Sequence, residues 1–441
     1  MNAPAAAALS RSRWREPAAR AFLLVWAGQT VSAFGSAMTT FALSVWVFGE
    51  TRSLLAFGSV VFVNAIAAAL AAPWLGMLCD RVARHRLMLA ADAASALLTM
   101  MLLAIVLGST LALWQIVLLV AANAVLTTAH QIAYRALVPS LIAPRDLVRA
   151  NALIETGFAA STLLAPLAGG LLLAVTGLAG ILAIDLATFA VAVACLAAAR
   201  IREPAAASRD ERPLSHRQEI RAGWTRLRGD RALRGLLIAA LAAGFAMAAL
   251  QVLLTPLVLL RHDAATLGLL LSAGGLGMAA GGALLLVRHR RPGTTLVVAA
   301  QAGMGLSLLA LGIASSAAAT GALLFALYAF SQCGAVAVRS LWQSEIEPAL
   351  RGRAFAAIGA LSALLLPPAC LGAPWLAEHV LQPWLQQAPA AIAAIVGRGP
   401  GAGAAVLIAV LGLGLLVSAA ALWRSAGRRE LDRRLAARAK D

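Results

Sequence analysis

The chain has 441 residues, of which 61% are hydrophobic and 12% charged, and its mean hydropathy is +0.85. A soluble domain carries about 25% charged residues, so this composition excludes a water-soluble globule and makes lipid the solvent. The net charge of +17 raises nucleic acid as a partner, but the placement of the basic residues argues against it.

A helix needs about 20 apolar residues to cross a bilayer. Twelve runs qualify: 21–48, 54–78, 87–107, 111–133, 150–175, 179–199, 235–259, 265–287, 294–313, 318–338, 354–377 and 402–423. The first is long enough to overshoot the bilayer at its outer end. Before it, residues 1–20 hold Arg11, Arg13, Arg15 and Arg20 and no compact apolar core with a cleavage site, so a cleaved signal peptide is not expected. Between the sixth and seventh runs, 200–234 is the longest polar segment and predicts an amphipathic helix on the inner surface around 214–230. Near the end, 378–401 predicts a long outer loop with a short helix at 384–396, serving as a lid or an interfacial prop. Trp375 and Trp384 anchor it at the interface. The expected fold is an all-α integral membrane protein of twelve transmembrane helices in two six-helix halves, 21–199 and 235–423. A cytoplasmic tail, 1–20, the linker and a basic tail, 424–441, flank and join them.

If the runs alternate across the bilayer, 33 of the 36 basic residues fall on the side of the N-terminus. Only Arg52, Arg261 and Arg398 fall on the other. The positive-inside rule then places both termini in the cytoplasm, and the basic excess has anionic lipid as its partner. Thirty-five of the 36 are arginine, the composition of a GC-rich bacterial genome, which implies the bacterial plasma membrane. Cys79, Cys195, Cys333 and Cys370 lie in or beside apolar runs without paired spacing, so neither a disulfide framework nor a metal site is expected. There is no histidine cluster, phosphate-binding glycine loop or acyl-transfer arrangement, so the reading has no cofactor and no enzyme.

The halves repeat at an offset of 204. Arg84-His85-Arg86 matches Arg288-His289-Arg290, and the arginines and proline of Arg135, Pro144 and Arg149 match those of Arg339, Pro348 and Arg353. Repeated halves around a midplane site are how many secondary transporters are built, because rocking one half against the other gives alternating access.

Gly76, Asp80, Arg81, Arg84 and Arg86, between the second and third runs, resemble the best-known signature of the major facilitator superfamily. The resemblance implies a cytoplasmic latch in which Asp80 faces the start of span 11, after Arg351-Gly352-Arg353. Gly76 allows close helix approach, and Arg84 and Arg86 pair with carboxylates or helix C-termini. The stretches WAGQTVSAFGSAMTTFALSVWVFGE, YRALVPSLIAPRDLVRANALIETG and LWQSEIEPALRGRAFAAIGAL resemble the macrolide-efflux and enterobactin-exporter-like branch, and the likeness covers roughly 20–425. Gly157, Ser161, Ala165, Pro166, Gly169 and Gly170 in span 5 resemble the small-residue-plus-proline pattern of antiporters in that family. Ser161 and Ala165 stand where the pattern has glycines. The alternative is an ordinary packed span.

Carboxylates inside spans are expensive and usually functional. Asp185, in the outer third of span 6, is a candidate proton carrier or a structural hydrogen-bonding group. Asp92 in span 3 and Glu155 in span 5 lie near the cytoplasmic side, as proton-coupling candidates or members of the latch network with Arg81, Arg84 or Arg149. His130, at the inner end of span 4, reads as interfacial. Gln29, Ser32, Asn64, Asn123, Gln251, Gln301, Tyr328 and Gln332 are candidates to line a cavity, with Trp26, Phe34, Met38, Phe245 and Met247 as adaptable apolar walls. These features predict a secondary active exporter of an amphiphilic or hydrophobic small molecule in exchange for protons, working as a monomer. A narrow-substrate facilitator or importer and a lipid-related transporter are the alternatives, and outside transport a membrane enzyme or sensor.

Overall fold

The computed structural model describes residues 17–108, 111–143, 146–201, 224–225, 228–287, 293–389 and 397–438. All regular structure among them is helical. The first helices are α1 (Pro17–Thr51), α2 (Leu54–Arg81), α3 (Arg84–Gly108) and α4 (Leu113–Leu141). A helical run of 52 residues, Leu147–Ala198, then breaks at Gly177, where φ is 63° and ψ is −175°. That backbone geometry is open essentially to glycine alone, so the run is two helices, α5 (147–176) and α6 (178–198). Next come α7 (Arg231–Leu259), α8 (Ala264–Val287), α9 (Thr294–Ile313) and α10 (Ala317–Glu345). Helix α11 begins as Pro348–Leu364 and passes through wider π turns at Pro368–Gly372 and Leu376–Leu381 to end at Gln382–Gln387. Pro367 and Pro368 supply no N–H, and a wide turn is how a helix absorbs such an interruption. The last two helices are α12 (Ala402–Arg424) and α13 (Ala426–Arg438). Among the described residues eleven helices are long and apolar enough to cross a membrane, and the break at Gly177 makes twelve spans of them.

Several expected boundaries move. Helices α4 and α10 run on past 133 and 338 to Leu141 and Glu345, so Arg135 and Arg339 sit within helices rather than loops. Hydropathy marks the apolar stretch of a helix, whereas its hydrogen-bond ladder continues into the polar layer. The outer segment from 378 begins as helix and stays helical to Gln387. Residues 390–396 of the expected short helix, the triplet at 288–290 and residues 214–223 and 226–227 of the expected linker helix lie outside the described residues.

The chain divides into two compact units, Met1–Trp46 with Val63–Asp210 and Val47–Phe62 with Glu211–Asp441. In the first, Met38, Ala42, Leu102, Ala165, Ile181 and Leu182 form one buried cluster. In the second, the carboxylate of Glu378 accepts from the Ser53 hydroxyl and the Leu55 amide, each at 3.1 Å, and so caps the start of α2. A Cβ on Gly58 would lie 2.1 Å from the Cys370 carbonyl, so only glycine allows α2 this close to the π turn of α11.

The C-terminal segment is a docked helix as well as a basic tail. Leu431 of α13 is buried in a core with Leu233, Leu236, Val297 and Leu341. Arg434 lies 2.9 Å from the Asp230 carboxylate and 3.5 Å from that of Glu345, and also bonds Glu430. Thr294 donates to Asp432, and the Arg428 guanidinium stacks 4.1 Å over the Trp423 ring. The helix thereby ties the starts of α7 and α9 to the end of α10. Asp230 also caps α7, accepting from the amides of Ala232 and Leu233 at 2.8 and 3.4 Å. Burial pushes its carboxyl up, but the Arg434 hydrogen bond and charge and the two amides outweigh this and leave it below the ordinary carboxylate value.

Candidate functional site

Three polar constellations stand out, two in the first unit and one in the second. The first surrounds Asp185 of α6, which is 2% exposed. Thr39 and Ser36 of α1 donate to its two carboxylate oxygens at 2.9 and 3.1 Å, and Thr188 lies 3.4 Å away. Position 35 explains how α1 comes so near: a Cβ there would lie 2.2 Å from the Thr188 hydroxyl and 2.9 Å from Asp185. Three hydroxyls around one carboxylate satisfy it when charged and can reorient when it takes a proton.

The second surrounds Asp92 of α3, 4% exposed. Gln29 of α1 donates to one of its oxygens at 2.9 Å. The Nδ1 of His130 on α4 lies 2.7 Å from the other, at ion-pair distance but without hydrogen-bond geometry. One turn along α4, the buried Tyr134 hydroxyl has no partner, and its ring centroid is 6.0 Å from that of His130. A carboxylate, an amide and an imidazole thus meet inside the unit. Reading the sequence missed the pairing: His130 is half-buried, with its Nδ1 turned to Asp92. The available signal was its place on an apolar helix.

Span 5 supplies the seam that holds α1 in place. A Cβ on Gly157 would lie 2.6 Å from the Thr30 hydroxyl, and Ser161 donates to the Gly157 carbonyl at 3.0 Å. Ala165 is fully buried in the cluster with Met38, and a Cβ on Gly169 would touch the Phe41 ring at 3.0 Å. Gly170 is buried, and Pro166 stands inside the helix. Trp26 donates to the Leu153 carbonyl at 2.9 Å. The small-residue stripe is therefore the face α5 packs against α1.

The third constellation is a cavity of about 340 Å³ in the second unit, between α7, α9, α10 and α11. This lies in the range of small-molecule pockets. Ala239, Ala240, Ala243 and Gly244 of α7 leave the space open, and a Cβ on Gly244 would meet nothing within 4 Å. Its polar lining is Gln301 of α9, Ser331, Arg339 and Trp342 of α10, and Ser362 of α11. Gln301 donates to the Ser418 hydroxyl at 3.0 Å and to the Ala239 carbonyl at 3.4 Å. Met247 is among the lining side chains.

The remaining candidates are dispersed. Gln29 belongs to the Asp92 cluster, and Ser32 is buried in the first unit. Asn64 and Gln251 are exposed, Asn123 and Gln332 half-buried, and the Tyr328 ring packs over Gly274. Glu155 is exposed, apart from both carboxylate clusters. Asp80, Arg81 and Arg86 are exposed where α2 ends and α3 begins, and Arg84 is half-buried. A Cβ on Gly76 meets no described atom within 4 Å. In the second unit Arg351 donates through Nε to the Ile346 carbonyl at 3.0 Å, capping α10, and Arg353 is half-buried.

A family model described as the Major Facilitator Superfamily matches residues 25–367. Macrolide efflux protein A of Streptococcus pyogenes is 24% identical over 361 residues, covering 78% of this chain and 86% of the relative. Among solved structures, a bacterial homologue of the human lysosomal transporter Spinster superposes with a TM-score of 0.69 at 13% identity. It covers 95% of this chain and 98% of its own. The nucleoside transporter NupG gives a TM-score of 0.65 at 12% identity, over 93% of this chain and all of its own. These two likenesses show the fold.

Proposed function

We propose, from the premise that the chain belongs to the Major Facilitator Superfamily and is a multi-pass membrane transporter, that it exports an amphiphilic or hydrophobic small molecule in exchange for protons. The observation that carries this reading is the largely apolar cavity of the second unit, with a few polar groups on its wall, in a chain similar to a macrolide efflux protein. Such a wall suits amphiphiles better than sugars or dicarboxylates, whose hydroxyls and charges would lose water without replacement.

The proton carriers in this reading are Asp185 and Asp92. Each is buried among groups from another helix, so gaining a proton rearranges contacts between helices of the first unit. The exposed Glu155 is a weaker candidate. Asp80 with Arg81, Arg84 and Arg86 forms one side of a cytoplasmic latch, and the turn at Arg351 and Arg353 forms the other. Both termini face the cytoplasm of a bacterial cell, and one copy of the chain is the working unit.

The test uses purified protein in proteoliposomes with an imposed pH gradient, a panel of dyes and macrolides, and a protonophore control. Dye movement that needs both substrate and gradient, and stops with protonophore, is the expected result. Movement insensitive to the gradient would replace exchange by facilitation. Silence across the panel from folded protein would remove the broad-export reading.

A further inference from the structure

We infer that the cavity of the second unit selects anionic amphiphiles, with Arg339 and Trp342 holding the negative head. The inference rests on the transporter reading and specifies its cargo. The charge on the wall is one-sided. Arg339 lines the cavity, and no lining residue is acidic. Among the described residues Arg339 has no carboxylate partner. Trp342 is 95% buried, and its indole N–H has no acceptor. A buried donor left unpaired is costly, and a ligand oxygen would relieve that cost. Positions 339 and 342 are three apart on α10 and so share one helix face. The Gln301 amide N–H groups already have acceptors in Ser418 and Ala239, which leaves Arg339, the Trp342 indole and the Ser331 hydroxyl as the lining donors without an acceptor among the described residues.

The helix register adds a direction. Ala239, Val297, Arg339 and Trp342 lie toward the start of α7, the start of α9 and the end of α10, which meet at the α13 end of the unit. Met247, Met304 and Ser331 line the cavity near the middle of the same helices. Between 331 and 342 the helix rises about 16 Å at 1.5 Å per residue. The cavity thus has a cationic donor end and an end lined by two adaptable methionines, which is the polarity of an anion with an apolar body. A cationic drug would meet Arg339 with no carboxylate to offset it. The plain alternative, that Arg339 only anchors the helix end in the interface, does not require it to line a cavity beside an unpaired indole.

The test compares 8-anilinonaphthalene-1-sulfonate with N-phenyl-1-naphthylamine, the same frame without the sulfonate, and with the cationic dye rhodamine 6G. Binding is measured to full-length protein in nanodiscs, with empty nanodiscs subtracted. The sulfonate should bind about tenfold or more tightly than the neutral frame. Arg339→Gln should erase that preference and Arg339→Lys should keep most of it. Trp342→Phe should weaken the sulfonate several-fold, and Gly244→Leu should block both naphthalene dyes. Equal binding of the neutral or cationic dye, a preference indifferent to Arg339→Gln, or no binding by folded protein would overturn the inference. The same dyes in the gradient-driven flux assay separate the two readings. Arg339-dependent binding without flux defeats export alone, and gradient-driven flux confined to the cation defeats the anionic cargo alone.

Discussion

In the first unit, side chains from α1, α3 and α4 bring an amide and an imidazole to a buried carboxylate; in the second, α7, α9 and α10 surround an open cavity. The sequence offset of 204 aligns the two. Asp92 corresponds to Leu296, His130 to Gly334 and Tyr134 to Val338, and the last residue of each of the latter two pairs lines the cavity. Titratable and polar groups at these positions in one copy are replaced by Leu296, Gly334 and Val338 in the other, where the last two line open space. The copies of a repeat can therefore share a framework and differ in chemistry, and in the proposed reading they divide proton handling and cargo between them.

The largest effect is expected from separating those two tasks. Asp185→Asn should bring gradient-driven flux to background while leaving dye binding at the second unit's cavity unchanged, as read by flux and nanodisc binding on one preparation. Loss of binding in parallel with flux would break the division. Asp80→Asn should lower flux several-fold, with folding retained by size-exclusion profile and thermal unfolding; unchanged flux removes the latch.

A pair of glycine substitutions sharpens the contrast between filled and open space. Gly35→Val drives methyl groups against Thr188 and Asp185 and should destabilise by about 1–3 kcal/mol. Gly244→Ala, whose new Cβ meets nothing within 4 Å, should leave stability unchanged or raise it by about 0.5–1 kcal/mol. Thermal unfolding in one detergent decides both, and equal losses would mean the cavity of the second unit is already full.

The smallest effect concerns the α13 clamp of the second unit. Asp230→Ala removes an N-cap worth about 1 kcal/mol. The ion pair adds less than about 1 kcal/mol, because the Arg434 side chain is 35% exposed and water screens the pair. The folded Asp230 carboxyl lies below its ordinary value, so its contribution is full above the unfolded value of about 3.9 and fades as pH falls through the lower folded value. The stability gap between parent and Asp230→Ala should therefore close in acid below about pH 4, and a gap that widens there would reverse the assignment.

Much of this architecture was legible in the residues alone. Runs of about 20 apolar residues mark spans because every buried peptide group in hydrocarbon must bond within its own helix. The offset of 204 marked the repeat, and the stripe Gly157, Ser161, Ala165 and Gly169 marked a packing face because helical neighbours recur every four residues. Asp185 and Gln301 stood out as polar groups in apolar surroundings. Folding decided the rest. Asp92 and Gln29 are 63 positions apart, and no linear spacing announces that His130 closes on the same carboxylate. The cavity is an absence of side chains between four helices, set by how their small residues face one another. Arg339 reads in sequence as one more basic residue near a span end, until the helix carries it onto a cavity wall beside an unpaired indole. Hydropathy is local and survives in a string of letters, whereas pairing and empty space belong to surfaces brought together from distant parts of the chain.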